Sequence, residues 1–205
     1  MTHLTATAAP RVRFAERPEA PMRFTTVPNL VTLVRTVGAV VLAVIAIVAQ
    51  SWPLLIAAYA TYWIGDTADG IVARWLKQET RAGAVFDIIS DRACTSLCLA
   101  ALLMLKPDMA VPLAIFLVQF MVLDTMLSLA FLLWPIVSPN YFAQVDRRIY
   151  LWNWSPPAKV LNTSAVVLLV LVSPTWIWPA LLAAAVTVMK IASMVRVAGL
   201  VSRIR

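Results

Sequence analysis

Long apolar runs alternate with short polar breaks along most of the chain. Each run is close to the ~20 residues that a helix needs to cross ~30 Å of hydrocarbon. Because a backbone in lipid must satisfy its own hydrogen bonds, these runs predict membrane-spanning helices. We therefore expect an all-α integral membrane protein, a six-transmembrane-helix bundle with helices at about 29–50, 54–76, 83–105, 110–136, 158–173 and 175–197.

Lysine and arginine are unevenly distributed among the polar breaks. The breaks after the first, third and fifth apolar runs contain only Lys106 as a basic residue. The other breaks and both ends of the chain are basic, with Lys77, Arg81, Arg147, Arg148, Arg203, Arg205 and four arginines before the first run. Since cytoplasmic loops are enriched in basic residues, this alternation predicts that both termini are cytoplasmic.

The chain divides into a tail and a membrane domain. Residues 1–27 contain four arginines and three prolines but lack the apolar core of a secretory signal. We interpret them as a basic cytoplasmic tail with an interfacial helix near the membrane. An arginine-rich organelle presequence is the alternative, and Glu16 and Glu19 count against it. Residues 28–205 form the predicted membrane domain.

Composition narrows the class of protein. Hydrophobic residues make up 61% of the 205 residues and charged residues only 13%, about half the ~25% of an ordinary soluble domain. The net charge of +7 fits membrane orientation and anionic lipid, and we expect no nucleic-acid partner. The single histidine, His3, lies in the tail, which argues against histidine-based acid–base chemistry. Cys94 and Cys98 are expected to pack in the interior.

Four aspartates lie within or beside the second and third apolar runs. Asp66 and Asp69 are three residues apart, and Asp87 and Asp91 are four apart, so each pair shares a helix face. The short connection at about 77–82 makes the two helices antiparallel neighbours, and all four carboxylates can then converge on one cavity. An aspartate at mid-membrane costs about 2.5–3.5 kcal/mol, and divalent cations offset both this cost and the mutual repulsion.

The ligand chemistry of this cluster favours particular ions. Oxygen ligands favour Mg²⁺ or Mn²⁺, with Ca²⁺ as an alternative. Four carboxylates can hold two such ions, an arrangement used for displacement at phosphorus. Gly70 and Gly83 leave room for a ligand, or else for close helix packing. Arg74 can reach a phosphate at the cytoplasmic mouth, or else extend to the interface.

The spacing of these residues resembles the motif of the CDP-alcohol phosphotransferase (phosphatidyltransferase) family. That motif is D-x2-D-G-x2-A-R-x8-G-x3-D-x3-D, and every fixed position is met here by Asp66, Asp69, Gly70, Ala73, Arg74, Gly83, Asp87 and Asp91. The resemblance implies a divalent-metal-dependent membrane enzyme that transfers a phosphatidyl group from CDP-diacylglycerol to an alcohol and releases CMP. Homodimers are common in the family. The expected location is a bacterial plasma membrane, with the active site facing the cytoplasm.

The resemblance also implies roles for individual residues. The metal ligands would be Asp66, Asp69, Asp87 and Asp91, with Asp91 also serving as the general base. The CDP-binding residues would be Asp69, Gly70, Ala73, Arg74, Gly83, Asn29 and Thr32. The last two belong to a P-N-x-x-T-x-x-R segment, residues 28–35, which is similar to bacterial phosphatidylglycerophosphate synthases and their relatives.

The acceptor alcohol is less clearly indicated. Glycerol 3-phosphate leads, and inositol phosphate, phosphatidylglycerol (the cardiolipin synthase reaction) and serine are alternatives. A phosphorylated acceptor needs basic residues, and the candidates are Arg35, Lys159, Arg147 and Arg148. Arg35, inside a membrane helix, needs an anionic partner such as a nucleotide or acceptor phosphate, unless it only approaches the interface. Asp124, in the fourth run, either binds hydroxyls or pairs with an arginine of a neighbouring helix.

A cation transporter is the alternative of another class. Carboxylates inside membrane helices also form ion paths, and such a path requires acidic residues at several depths. Here the motif aspartates gather near one end of their helices, and only Asp124 lies elsewhere in the spans. The sequence therefore favours an enzyme.

Overall fold

The helices of this computed structural model follow the apolar runs of the sequence. The structure describes residues 24–202, so the predicted tail helix, Arg203 and Arg205 lie outside the described residues. Residues 24–202 form seven helices without a β-strand: α1 Val27–Ala49, α2 Trp52–Trp75, α3 Arg81–Leu105, α4 Pro107–Leu133, α5 Arg147–Asn153, α6 Pro156–Val172 and α7 Ile177–Val201. This confirms the prediction of an all-α integral membrane protein.

Six of the seven helices correspond to the six predicted runs, and their ends lie within four residues of the predicted ends. The seventh, α5, lies in the connection between the fourth and fifth predicted helices, where no helix was predicted. A 3₁₀ helix, Pro139–Gln144, precedes it. Asp146 caps α5 by accepting a hydrogen bond from the backbone N–H of Ile149. Polar capping residues therefore built a short helix that an apolar pattern does not reveal.

Judged by length and composition, the described residues contain fewer candidate membrane spans than the predicted six. Within the described residues, α1, α3, α4 and α7 are long and apolar enough to cross a membrane. The pair α5 and α6, bent by 42°, adds a fifth span if it is counted as one. Helix α2 is long enough, but it contains Asp66, Asp69 and Arg74. The chain is thus a multi-pass membrane protein, while the count of six and the cytoplasmic termini stay predictions.

The turn between α2 and α3 sets the geometry of the acidic residues. Lys77 adopts a positive φ of 53°, the left-handed conformation that commonly ends a helix. Three residues later, Thr80 starts α3 because its hydroxyl accepts a hydrogen bond from the Gly83 N–H at 2.9 Å. This tight reversal brings the end of α2 next to the beginning of α3.

Small residues allow the first helices to pack closely. Ala39, Ala43 and Ala46 of α1 and Ala58 of α2 are fully buried, and small side chains at such positions let helix backbones approach each other. Outside this core, many large apolar side chains are exposed, as in Val48, which is 81% exposed. An apolar exterior of this kind is what contact with lipid requires. Cys94 and Cys98 are buried and unpaired, which confirms their predicted packing.

Candidate active site

The four motif aspartates converge, as their spacing predicts, and they converge around an arginine. Arg35, which is only 4% exposed, reaches across from α1 to the carboxylates of α2 and α3. Its Nε lies 2.7 Å from Asp69 Oδ2. Its Nη2 lies 3.4 Å from Asp66 Oδ1 and 3.1 Å from Asp91 Oδ1, and it also contacts Asp87 Oδ1. One guanidinium therefore neutralises part of a fourfold negative charge.

Three of the four aspartates form a group that fits a divalent cation. One carboxylate oxygen each from Asp66, Asp69 and Asp87 lies within 4.8 Å of the others. Asp91 is outside this group and is connected to it through Arg35. Hard oxygen donors in this number favour Mg²⁺ or Mn²⁺, and Mg²⁺ commonly completes its shell with substrate phosphates.

Gly65 makes room for Arg35, a role that was not predicted from the sequence. A Cβ added at Gly65 would collide with the Arg35 stem and lie 2.6 Å from its Cδ. Any larger residue would push Arg35 away from the carboxylates. The signal for this contact is weak in the sequence, because Gly65 resembles any small residue of a membrane helix.

A cavity adjoins the acidic cluster between α1, α2 and α3. All seven residues predicted to bind CDP line it, namely Asn29, Thr32, Asp69, Gly70, Ala73, Arg74 and Gly83. The Thr32 hydroxyl donates to Asp69 Oδ2 at 2.7 Å, which ties the P-N-x-x-T-x-x-R segment to the acidic motif. The cavity therefore joins two sequence segments that are separated by more than thirty residues.

The two motif glycines differ in how much space surrounds them. At Gly70, an added Cβ would lie 3.4 Å from Arg74 Nη1, a contact that a flexible side chain can accommodate. At Gly83, it would lie 2.8 Å from Asn29 Oδ1 and 2.9 Å from Thr80 Oγ1. Gly83 thus permits close approach of the start of α1 to the start of α3.

Replacing Gly83 by alanine is expected to weaken CDP binding by about tenfold. The added methyl group would displace the Asn29 side chain from the cavity wall, and overpacking of this kind typically costs about 1–3 kcal/mol. Isothermal titration of CDP in detergent measures the effect. Gly38→Ala is the matched control, because its added Cβ would make only an ordinary 3.5 Å contact with Thr61. Wild-type CDP affinity in Gly83→Ala would contradict this role.

The connection between α4 and α5 supplies a cavity wall that the sequence did not indicate. Its residues Val137, Ser138 and Asn140 line the cavity together with the motif glycines. Tyr141 fixes this connection to the α2–α3 turn by donating a hydrogen bond of 2.8 Å to Glu79 Oε2. The sequence of this connection contains Ser138, Pro139 and Asn140, which favour turns. Such residues are common in any loop and do not indicate a cavity wall.

The predicted acceptor residues have different surroundings. Lys159 lies near the cavity, because its Nζ donates to Asn140 Oδ1 at 3.0 Å. Arg147 and Arg148 are exposed at the start of α5 and do not line the cavity. Arg148 lies over the Trp152 ring at 5.9 Å. Of these three residues, Lys159 is the one that is hydrogen-bonded to a residue of the cavity wall.

Asp124 pairs with basic residues, which decides between the two predicted roles. Its carboxylate accepts a hydrogen bond of 2.5 Å from Arg92 Nη2 of α3 and another from Lys190 Nζ of α7. Arg92 also donates to Thr125 Oγ1 at 2.8 Å. Lys190 is only 2% exposed. This buried ion triad of Arg92, Asp124 and Lys190 connects α3, α4 and α7 directly beside Asp91. An arginine partner of Asp124 was predicted, whereas Lys190 was not.

These features define a membrane-embedded enzyme class in which an acidic, metal-compatible centre adjoins a glycine-lined cavity. A model of the CDP-alcohol phosphatidyltransferase family matches residues 25–196, and the chain belongs to that family. Members are metal-dependent transferases of substituted phosphate groups, which move a phosphatidyl group from a CDP-alcohol to an acceptor. Comparisons with curated proteins and with solved structures found no match.

Proposed function

We propose that this enzyme transfers the phosphatidyl group of CDP-diacylglycerol to the hydroxyl of an alcohol and releases CMP. Glycerol 3-phosphate is the leading acceptor, which would give phosphatidylglycerophosphate. The observation that supports this proposal most strongly is one cavity lined by all seven predicted CDP-binding residues, directly beside the carboxylates. The basic residues of the predicted cytoplasmic connections support an active site that faces the cytoplasm.

The four motif aspartates have two roles, metal binding and proton acceptance. Asp66, Asp69 and Asp87 would hold Mg²⁺ or Mn²⁺, and Asp91 would contribute to a site for a second ion. When bound, the metal neutralises the diphosphate and stabilises charge that develops in the transition state. Asp91 accepts the proton of the acceptor hydroxyl. The acceptor oxygen then forms a bond to the β-phosphorus, while the bond to the CMP oxygen breaks and CMP leaves with that electron pair.

The cavity residues hold the nucleotide. Gly70 and Gly83 allow it to approach the backbone of α2 and α3, as side chains there would occupy the cavity. Arg74 lines the same cavity, and its guanidinium can form charge-assisted hydrogen bonds with the diphosphate. Holding the reacting groups in line lowers the activation free energy of the transfer. The entropy cost of bringing the groups together is already met when the substrates bind.

The acceptor is tested with purified protein in detergent, CDP-diacylglycerol and Mg²⁺. CMP release is measured with glycerol 3-phosphate, inositol phosphate, phosphatidylglycerol and serine in turn. Release with one acceptor supports the reaction and identifies the product. A folded protein that binds neither CDP nor Mg²⁺ would overturn the proposed function.

Lys159→Gln is expected to raise the KM for a phosphorylated acceptor by about tenfold, with the KM for CDP-diacylglycerol unchanged. Lys159 is exposed at the cavity rim, and losing a hydrogen bond to a charged group typically reduces binding by at least this factor. Steady-state CMP release measures both constants. Arg148→Gln is the control, because Arg148 does not line the cavity. Equal effects of the two substitutions would argue against a role for Lys159.

A further inference from the structure

Arg35 occupies the centre of the carboxylate cluster. Its Nη2 contacts Asp66 Oδ1, Asp87 Oδ1 and Asp91 Oδ1 together, and its Nε is bonded to Asp69 Oδ2. These oxygens belong to the residues that would coordinate a metal. A metal ion must approach carboxylate oxygens to about 2.0–2.2 Å, so an ion that uses Asp91 together with its neighbours needs the space that Nη2 fills.

The charge balance of the cluster changes with its occupant. Four ionised carboxylates and one guanidinium leave a net charge of −3 at this site. Two divalent cations would by themselves balance the charge of the four carboxylates, and the guanidinium would then be left uncompensated and repelled by the ions. Arg35 and a second metal ion are therefore in direct competition for the same oxygens.

The surroundings of Arg35 give it room to leave the carboxylates. Its Nη1 is buried and has no hydrogen-bond partner within residues 24–202, so the guanidinium is not fully held. Its stem lines a groove between α1 and α2, together with Thr61, Ile64 and Gly65. The Tyr62 ring lies 5.6 Å from Arg35 Cζ and offers a cation–π contact.

From these observations we propose that Arg35 is a built-in counter-cation of the metal centre. With Arg35 in place, the cluster accepts one divalent ion at Asp66, Asp69 and Asp87, through the carboxylate oxygens that Arg35 does not contact. A second ion, which uses Asp91, binds only when Arg35 withdraws towards the groove between α1 and α2. The inference rests on the proposed function, because it assumes that these aspartates bind the metal of the reaction.

Mn²⁺ binding to the purified protein in detergent tests this inference without a measurement of activity. The affinity and the number of bound ions are obtained by electron paramagnetic resonance at fixed pH. Arg35→Met is expected to bind Mn²⁺ at least about tenfold more tightly than the wild type, because no tethered charge competes. Mn²⁺ should also raise the Tm of this variant by more than it raises that of the wild type.

A second variant displaces Arg35 without removing its charge. Gly65→Ala puts a methyl group where the Arg35 stem lies, and it is expected to tighten Mn²⁺ binding by a smaller factor than Arg35→Met. Gly38→Ala is the control and should bind Mn²⁺ as the wild type does. Unchanged or weaker Mn²⁺ binding in both Arg35→Met and Gly65→Ala would overturn the inference. Absence of Mn²⁺ binding in the wild type would instead overturn the proposed function.

Discussion

Asp91→Asn is expected to lower CMP release from CDP-diacylglycerol by about 10²–10⁴-fold, the usual contribution of a general base. The amide has nearly the shape of the carboxylate, but it cannot accept the proton of the acceptor hydroxyl. Asp91 lies one helical turn beyond Asp87 and is joined to it through Arg35. CDP binding should persist, because Asp91 does not line the cavity.

The measurement compares CMP release and CDP affinity in the same preparation. Asp108→Asn is the matched control, because Asp108 is exposed in the first turn of α4, and it should retain wild-type activity. Activity of Asp91→Asn within a few-fold of the wild type would assign the base to another group. Loss of CDP binding together with activity would indicate that Asp91 organises the cluster and does not act only as a base.

The second large effect concerns stability, at the buried ion triad. Asp124→Asn is expected to lower the free energy of unfolding by about 3–5 kcal/mol, the usual result of removing one partner of a buried ion pair. Arg92 and Lys190, which are 8% and 2% exposed, would keep their charges without a carboxylate. For a chain of this size, the corresponding fall in Tm is about 10 °C.

Thermal unfolding in detergent measures this loss, and Asp108→Asn again provides the control. The double variant Asp124→Asn with Lys190→Met should recover part of the lost stability, because it removes one of the two uncompensated cations. A Tm of Asp124→Asn within about 2 °C of the wild type would contradict a stabilising role of the triad.

The helices and the acidic cluster could be predicted because both depend on local rules. Lipid requires continuous hydrogen-bonded helices, so apolar runs locate the helices to within a few residues. Helical periodicity then places Asp66 and Asp69 on one face and Asp87 and Asp91 on another. The exceptions were α5, which is built by polar capping, and α2, whose functional charges weaken its resemblance to a membrane span.

The partners of the buried charges could not be predicted in the same way. Arg35 was expected either to face a phosphate or to approach the interface, and in the structure it contacts all four motif aspartates. Lys190 lies 66 positions from Asp124 in the sequence, and Arg92 lies 32 positions from it. Which basic side chain meets which carboxylate depends on how the helices are rotated about their axes.

The membrane class, the approximate helix positions, the family motif and the motif residues that line the cavity all followed from the sequence. These properties follow from spacing within one or two adjacent helices. The packing of the helices was needed to show that Arg35 fills the acidic centre, that Gly65 makes room for it, and that the α4–α5 connection lines the cavity. Those contacts join distant segments, and close packing selects them from many pairings that local chemistry would equally allow.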